Sequence, residues 1–156
     1  MSEITPAPFL RWAGGKTWLV KYLQNYLAGL HFNNYHEPFL GGGAMFFALP
    51  HENISYLSDT NEELIKTYIT LQRNPQRVIS KLQKDENTAD FYYSMRNLQS
   101  RGEITQAARF IYLNQTSYNG LYRVNRSGKY NVPYGFRKQV VFNRDLLMEA
   151  SRVLQG

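Results

Sequence analysis

Between residues 17 and 27 the apolar side chains Trp18, Leu19, Tyr22, Leu23, Tyr26 and Leu27 fall on one helical stripe, and Gly29 supplies the stop. Residues 35–38 read as a short strand running into a glycine cluster, and residues 44–49 suit a short helix closed by Pro50. A second strand is expected at 54–57. Thr60 and Glu63 have the spacing of a capping box for a helix that turns Leu64, Ile65, Tyr68 and Ile69 inward. Strand, turn, helix and strand in this alternation predict a doubly wound α/β fold.

The rhythm then becomes helical. Asn74-Pro75 opens one helix, and others are expected near 91–98 and 106–114. In residues 121–132 two short polar runs flank Gly128, the pattern of a hairpin. Asn143 caps a last helix carrying Leu146, Leu147, Ala150, Val153 and Leu154 at helical spacing. Residues 1–72 are therefore expected to be the front part of an α/β domain. Residues 73–142 read as a helical and hairpin unit, and residues 143–156 as a helix returning toward the α/β part. Only two strands of the parallel sheet are visible. Such sheets need both faces covered, so the fold class reads as partial.

Composition narrows the chemistry. At 43% hydrophobic residues, 156 residues suffice for one ordinary core. No stretch approaches ~18 apolar residues, so no membrane span is expected. Residues 1–7 lack the basic start and apolar run of a secretory signal. The absence of cysteine removes disulfides and thiolate zinc sites, in keeping with a cytoplasmic protein. It also removes the thiol nucleophile used to methylate pyrimidine ring carbons, a requirement that transfer to an exocyclic amine does not share. His31, His36 and His51 have no metal-ligand spacing, and no metal is expected.

The net charge of +6 is uneven: residues 96–144 hold nine Lys and Arg against one acid, Glu103. A basic segment is the footprint of a polyanion partner, or else a solvated face.

Two glycine patterns prove to be decoys. Gly14-Gly15-Lys16-Thr17 ends like a phosphate-binding loop, but Leu10 stands where that loop needs glycine. Gly41 and Gly43 would need a third glycine at Phe46 to make a dinucleotide fingerprint. What survives is Glu37, Phe39, Gly41 and Gly43 between a strand and a helix, with Asp59 after the second strand. Glycines there admit close approach by a cofactor's amino-acid end, and Glu37 could orient its ammonium group. Asp59 either hydrogen-bonds ribose hydroxyls or satisfies backbone N–H groups at a helix start.

Four blocks, in order, resemble the Dam-like, α-group adenine methyltransferases of the D12 class. They are Phe9-Leu10-Arg11-Trp12-Ala13-Gly14-Gly15-Lys16, Glu37-Pro38-Phe39-Leu40-Gly41-Gly42-Gly43-Ala44, residues 57–62, and residues 107–135 with Tyr118-Asn119-Gly120-Leu121-Tyr122-Arg123-Val124-Asn125 at their centre. The resemblance implies a partial Rossmann-like S-adenosylmethionine-dependent methyltransferase fold with a helical and β-hairpin DNA-recognition insert. It implies S-adenosyl-L-methionine as cofactor, contacted by Trp12, Lys16 and Asp59, and double-stranded DNA, with GATC as target, as partner. Restriction–modification, phage and chromosomal settings all remain open.

In the recognition block, Arg123 and Asn125 share one hairpin face beside Leu121, suited to guanine and adenine edges. Tyr118, Asn119 and Pro133 join the expected DNA-binding set. Arg126, Lys129, Arg137 and Lys138 are assigned to phosphates. Tyr118, Tyr130 and Tyr134 could stack on a displaced base, although at least half of these aromatics are expected in the core.

The family's Asp-Pro-Pro-Tyr tetrapeptide, which holds the target amine, occurs nowhere in these residues. The expectation is an adenine methyltransferase that is catalytically incomplete as it stands, with a carboxy-terminal complementing chain as a possible partner. The alternative is a non-catalytic DNA-binding protein using the basic hairpin unit alone.

Overall fold

A computed structural model describes residues 5–27, 29–49, 54–140 and 142–155. It is a mixed helix and strand structure around a small parallel sheet. Strands β1 (Tyr35–Glu37) and β2 (Ser55–Leu57) pair in parallel, with His36 opposite Tyr56 and Glu37 opposite Leu57. The pairing extends past the strands: Ser58 N–H donates to Glu37 O at 3.0 Å, and Leu40 N–H to Ser58 O at 3.0 Å. Between the strands lie the glycine turn and a 3-10 turn at Phe46–Ala48, which buries Phe46 and Phe47. Pro50 and His51 lie outside the described residues.

The rest of the core is helical. Helix α2 (Glu62–Arg73) is capped by Asn61, whose side chain accepts from Leu64 N–H, so the cap falls one residue later than the Thr60–Glu63 spacing predicts. Helix α3 (Pro75–Leu82) starts with proline at its first position, where no N–H is needed. Thr88 caps α4 (Ala89–Asn97) by accepting from Phe91 N–H. Helix α5 (Glu103–Thr116) is buried along most of its length and packs against α2, α3 and α4. Asn143 caps α6 (Arg144–Leu154) as expected, and α6 lies on α2 and α3. Gln72 fastens that contact: its side chain donates to Leu154 O, and its carbonyl accepts from Ser151 Oγ at 3.2 Å. One apolar cluster runs from Phe9 through Tyr68, Val78 and Ile111 to Ala150, and so joins all three segments of the sequence.

Helix α1 (Thr17–Leu27) forms where its periodicity predicts, but none of its side chains is buried. Trp18 is 69% exposed and Tyr26 80%. Ile54 and Tyr56, beside and on β2, are exposed as well. The stripe is therefore a face without a cover among the described residues. No helix among them is long and apolar enough to cross a membrane.

Asp85 follows α3, and its Oδ2 is buried without a hydrogen-bond partner. Burial pushes its carboxyl up to about 6, against the pull of Lys81. Because the folded-state value lies above the unfolded one, the penalty is absent below about pH 4, grows as the pH rises toward about 6 and is complete above it. Asp85→Asn is expected to raise stability at pH 7.5 by on the order of 1 kcal/mol, the full shift being reduced by solvent at this half-buried site, and to change nothing at about pH 4. Urea unfolding at the two pH values checks this.

Candidate cofactor cleft and recognition arm

The turn after β1 is held from two sides, by Asp59 and by Tyr68. Gly41 N–H donates to Asp59 Oδ2 at 2.9 Å, while Asp59 Oδ1 accepts from Asn61 N–H at 2.9 Å. The buried Tyr68 hydroxyl donates to Gly41 O at 3.2 Å. Burial, with the Glu37 and Asp59 carboxylates adding, raises the Tyr68 phenol well above its ordinary range, so it stays a donor. Gly41 and Gly43 both adopt positive φ, +51° and +72°. Their missing side chains make room for neighbours within the protein. A Cβ on Gly41 would lie 2.8 Å from Trp12 Cδ1, and one on Gly43 3.0 Å from Phe47.

An open cleft of about 840 Å³ lies over this turn. It brings together Trp12, Lys16, Glu37, Phe39, Gly41 and Asp59, which sequence reasoning had proposed from three separate blocks. Gly43 is not among its walls and faces the core. Phe39 is 82% exposed and offers its ring to the opening. Glu37 accepts from Tyr35 Oη at 2.8 Å. Arg11 and Asn119 are among the other residues that line the cleft. Asn119 was assigned to DNA from sequence; it adopts a positive φ (+54°) and lines the cleft.

Trp12 links the turn to the helices. Its ring stacks on Tyr122 (5.8 Å between centroids) and on Phe110 (6.3 Å). The segment before it is tied to α5, where Gln115 Nε2 donates to Phe9 O at 2.8 Å. Beside it Asn114 Oδ1 accepts from Arg11 N–H at 2.8 Å, and Asn114 Nδ2 donates to Arg11 O at 2.6 Å.

The arm that follows α5 folds back twice. Ser117 bridges Tyr134, and Val124 bridges Tyr130, both antiparallel, with Asn125 N–H donating to Lys129 O at 2.8 Å. The expected hairpin is thus present as a tight turn with a single bridge in place of two regular strands. Asn125 Oδ1 accepts from Ser127 and Lys129 N–H at 2.9 and 3.0 Å, so that oxygen builds the turn. Arg123 Nε donates to Asn131 Oδ1 at 2.8 Å, which fixes the guanidinium direction. Leu121, Arg123, Asn125, Arg126, Lys129, Pro133, Arg137 and Lys138 are all exposed on this arm. Of the three tyrosines, Tyr134 is buried, Tyr130 half-buried and Tyr118 exposed. Sequence reasoning did not single out Phe136, an exposed aromatic at φ +51° whose ring lies 4.8 Å from that of Tyr134. Arg11 holds its proton less tightly than usual, through burial and the nearby Arg137 charge.

Residues 12–156 match the family model of the D12 class N6 adenine-specific DNA methyltransferases. The chain belongs to this family. It is 35% identical to the type II methyltransferase M1.LlaDCHI of Lactococcus lactis subsp. cremoris, over 99% of this chain and 57% of that protein. It is 35% identical to M.MjaIII of Methanocaldococcus jannaschii, over 96% of this chain and 59% of that one. Against the DNA adenine methylase of Escherichia coli K12 the identity is 32%, over 86% and 49%. The D12 chain thus spans about half the length of the curated relatives it matches.

The cleft geometry of this D12 protein predicts a graded response to alanine at its glycines. Gly41→Ala combines a left-handed backbone with the Trp12 collision and is expected to cost roughly 2–4 kcal/mol. Gly128→Ala, at φ +72° in open space, is expected to cost only about 1–2 kcal/mol. Denaturant unfolding of both variants measures the difference, which isolates the tryptophan contact.

Proposed function

We propose that these residues form the cofactor cleft and DNA-recognition arm of an S-adenosylmethionine-dependent DNA adenine-N6 methyltransferase. The observation that carries this reading is the convergence of Trp12, Lys16, Glu37, Phe39, Gly41 and Asp59 on one cleft. On this reading β1 and β2 belong to a Rossmann-like, doubly wound sheet, with residues 73–142 as its recognition insert and α6 returning to it.

The donor set suits the cofactor. Each Asp59 oxygen takes one backbone N–H and keeps a lone pair for a ribose hydroxyl. Glu37 supplies negative charge for an ammonium group, and Trp12 and Phe39 supply apolar faces for a purine. When bound, S-adenosylmethionine supplies a methyl group activated by its sulfonium charge. The protein's own work is then positioning: it orients that group and presents a flipped adenine, whose amine must approach in line. Arg123 suits guanine in the major groove, and Asn125, exposed on the same arm, has an amide nitrogen able to donate to a base edge. Arg126, Lys129, Arg137 and Lys138 hold phosphates and give salt-dependent affinity. GATC is the first duplex to try.

Phe39 and Lys16 are exposed, so Phe39→Ala and Lys16→Ala should leave the melting temperature nearly unchanged. Each should weaken S-adenosylhomocysteine binding about tenfold by titration calorimetry. Unaltered affinity in both variants would refute the cleft assignment. DNA binding with no cofactor binding would favour a non-catalytic DNA-binding protein instead. On the arm, Arg123→Ala should cost about 1–3 kcal/mol and relax one base position, while Lys138→Ala should weaken all duplexes alike and lower the salt slope by about 1. Binding to a panel of duplexes at several salt concentrations separates the two.

A further inference from the structure

Asn114 is a polar residue, only 4% exposed, on the buried length of α5. Its amide makes three hydrogen bonds. The oxygen accepts from Arg11 N–H, and the nitrogen donates to Arg11 O at 2.6 Å and to Gly120 O at 3.3 Å. Arg11 precedes Trp12, the residue lying on the glycine turn of the cleft. Gly120 closes the turn Tyr118–Gly120, at the root of the recognition arm. The two segments touch: a Cβ on Gly120 would lie 2.7 Å from Arg11 Cβ. Asn119, inside that turn, lines the cleft itself. A buried amide that holds both segments leaves neither able to shift alone, because an unpaired amide or carbonyl at this depth would be costly.

We propose that Asn114 is a positioning residue that couples cofactor binding to DNA binding. A duplex gripping the arm fixes the Tyr118–Gly120 turn, and through Asn114 it fixes Arg11 and the Trp12 wall of the cleft. The cofactor then meets a wall already ordered. By linkage, cofactor binding tightens DNA binding by the same factor. The side chain of Gln115, on the same helix, bonds the outer end of that segment, at Phe9 O, and its backbone carbonyl, which accepts from Arg137, is kept in an alanine variant. This proposal rests on the cofactor-and-DNA reading above.

The test titrates the 156-residue chain with S-adenosylhomocysteine, alone and with a saturating GATC-containing duplex. The unaltered chain should bind about fivefold or more tightly with DNA present. Asn114→Ser, which shortens the side chain and removes the bridge, should bring the ratio of the two affinities to within about twofold of one. Gln115→Ala should keep the original ratio, which a merely structural loss at this helix end would not. Should Asn114→Ser melt before it can be titrated, Gly120→Ala serves: its added Cβ separates the turn from Arg11 with Asn114 intact, and the ratio should fall there too. A ratio of one in the unaltered chain, or an undiminished ratio in the variant that folds, overturns the proposal. No binding of S-adenosylhomocysteine by the unaltered chain, with or without DNA, would overturn the cleft reading as well.

Discussion

The side chain of Trp12 against the bare backbone of Gly41 and Gly42 is the contact on which the rest of the site depends. A ring can approach a main chain this closely only where side chains are missing, and a Cβ at Gly42 would already stand 3.1 Å from Trp12 Cβ. The ring's other neighbours are Phe110 on α5 and Tyr122 on the arm. One side chain therefore sets the distance between the parallel strands, the long buried helix and the basic arm. Tryptophan and glycines in these two blocks are a single packing unit written in two places.

Asp59 acts in the same region through charge. Its two oxygens join Gly41, after β1, to Asn61, at the start of α2. A carboxylate at a helix N-terminus is favoured by the exposed N–H groups there. The structural reading of this residue and the cofactor reading do not compete, since each carboxylate oxygen carries two lone pairs. Tyr68 completes the arrangement from the core side, and its raised phenol keeps a proton to give to Gly41 O.

The helices, the two parallel strands and their order were legible in the sequence, because periodicity reports which face of an element is apolar; the hairpin strands were not, since only one bridge forms there. What covers that face was not legible. The stripe of α1 and the inward face of α2 look alike on paper, yet Leu64 is fully buried and Trp18 is not. Caps were legible to within one residue: Thr60 and Asn61 are both good caps, and spacing alone does not choose between them. The candidate cleft was legible as a set of residues, and the structure brings six of them together. The links across the chain were harder. Asn114 could have been noticed as an amide amid Phe110, Ile111 and Leu113, an apolar run where a polar group needs a partner. Asn119-Gly120 is a turn signal, and it hinted at the positive φ that both residues adopt. Neither hint identifies the residue on the far side, because Arg11 lies more than a hundred positions away along the chain.

Helix α1 begins right after Lys16, at the rim of the cleft. With no buried side chain and eleven residues, it is shorter than the ~12–15 that an isolated helix needs to hold together in water. A side-chain bond from Gln24 to Ala48 O, 2.7 Å long, is its tie to the sheet region. Its free energy of opening is therefore far smaller than that of α2 or α5, and its amides should exchange with solvent through local fraying while the core stays closed. For a binding cleft this means that one rim breathes on its own timescale. A protease working on these residues would find Lys21 long before it found any lysine on α2.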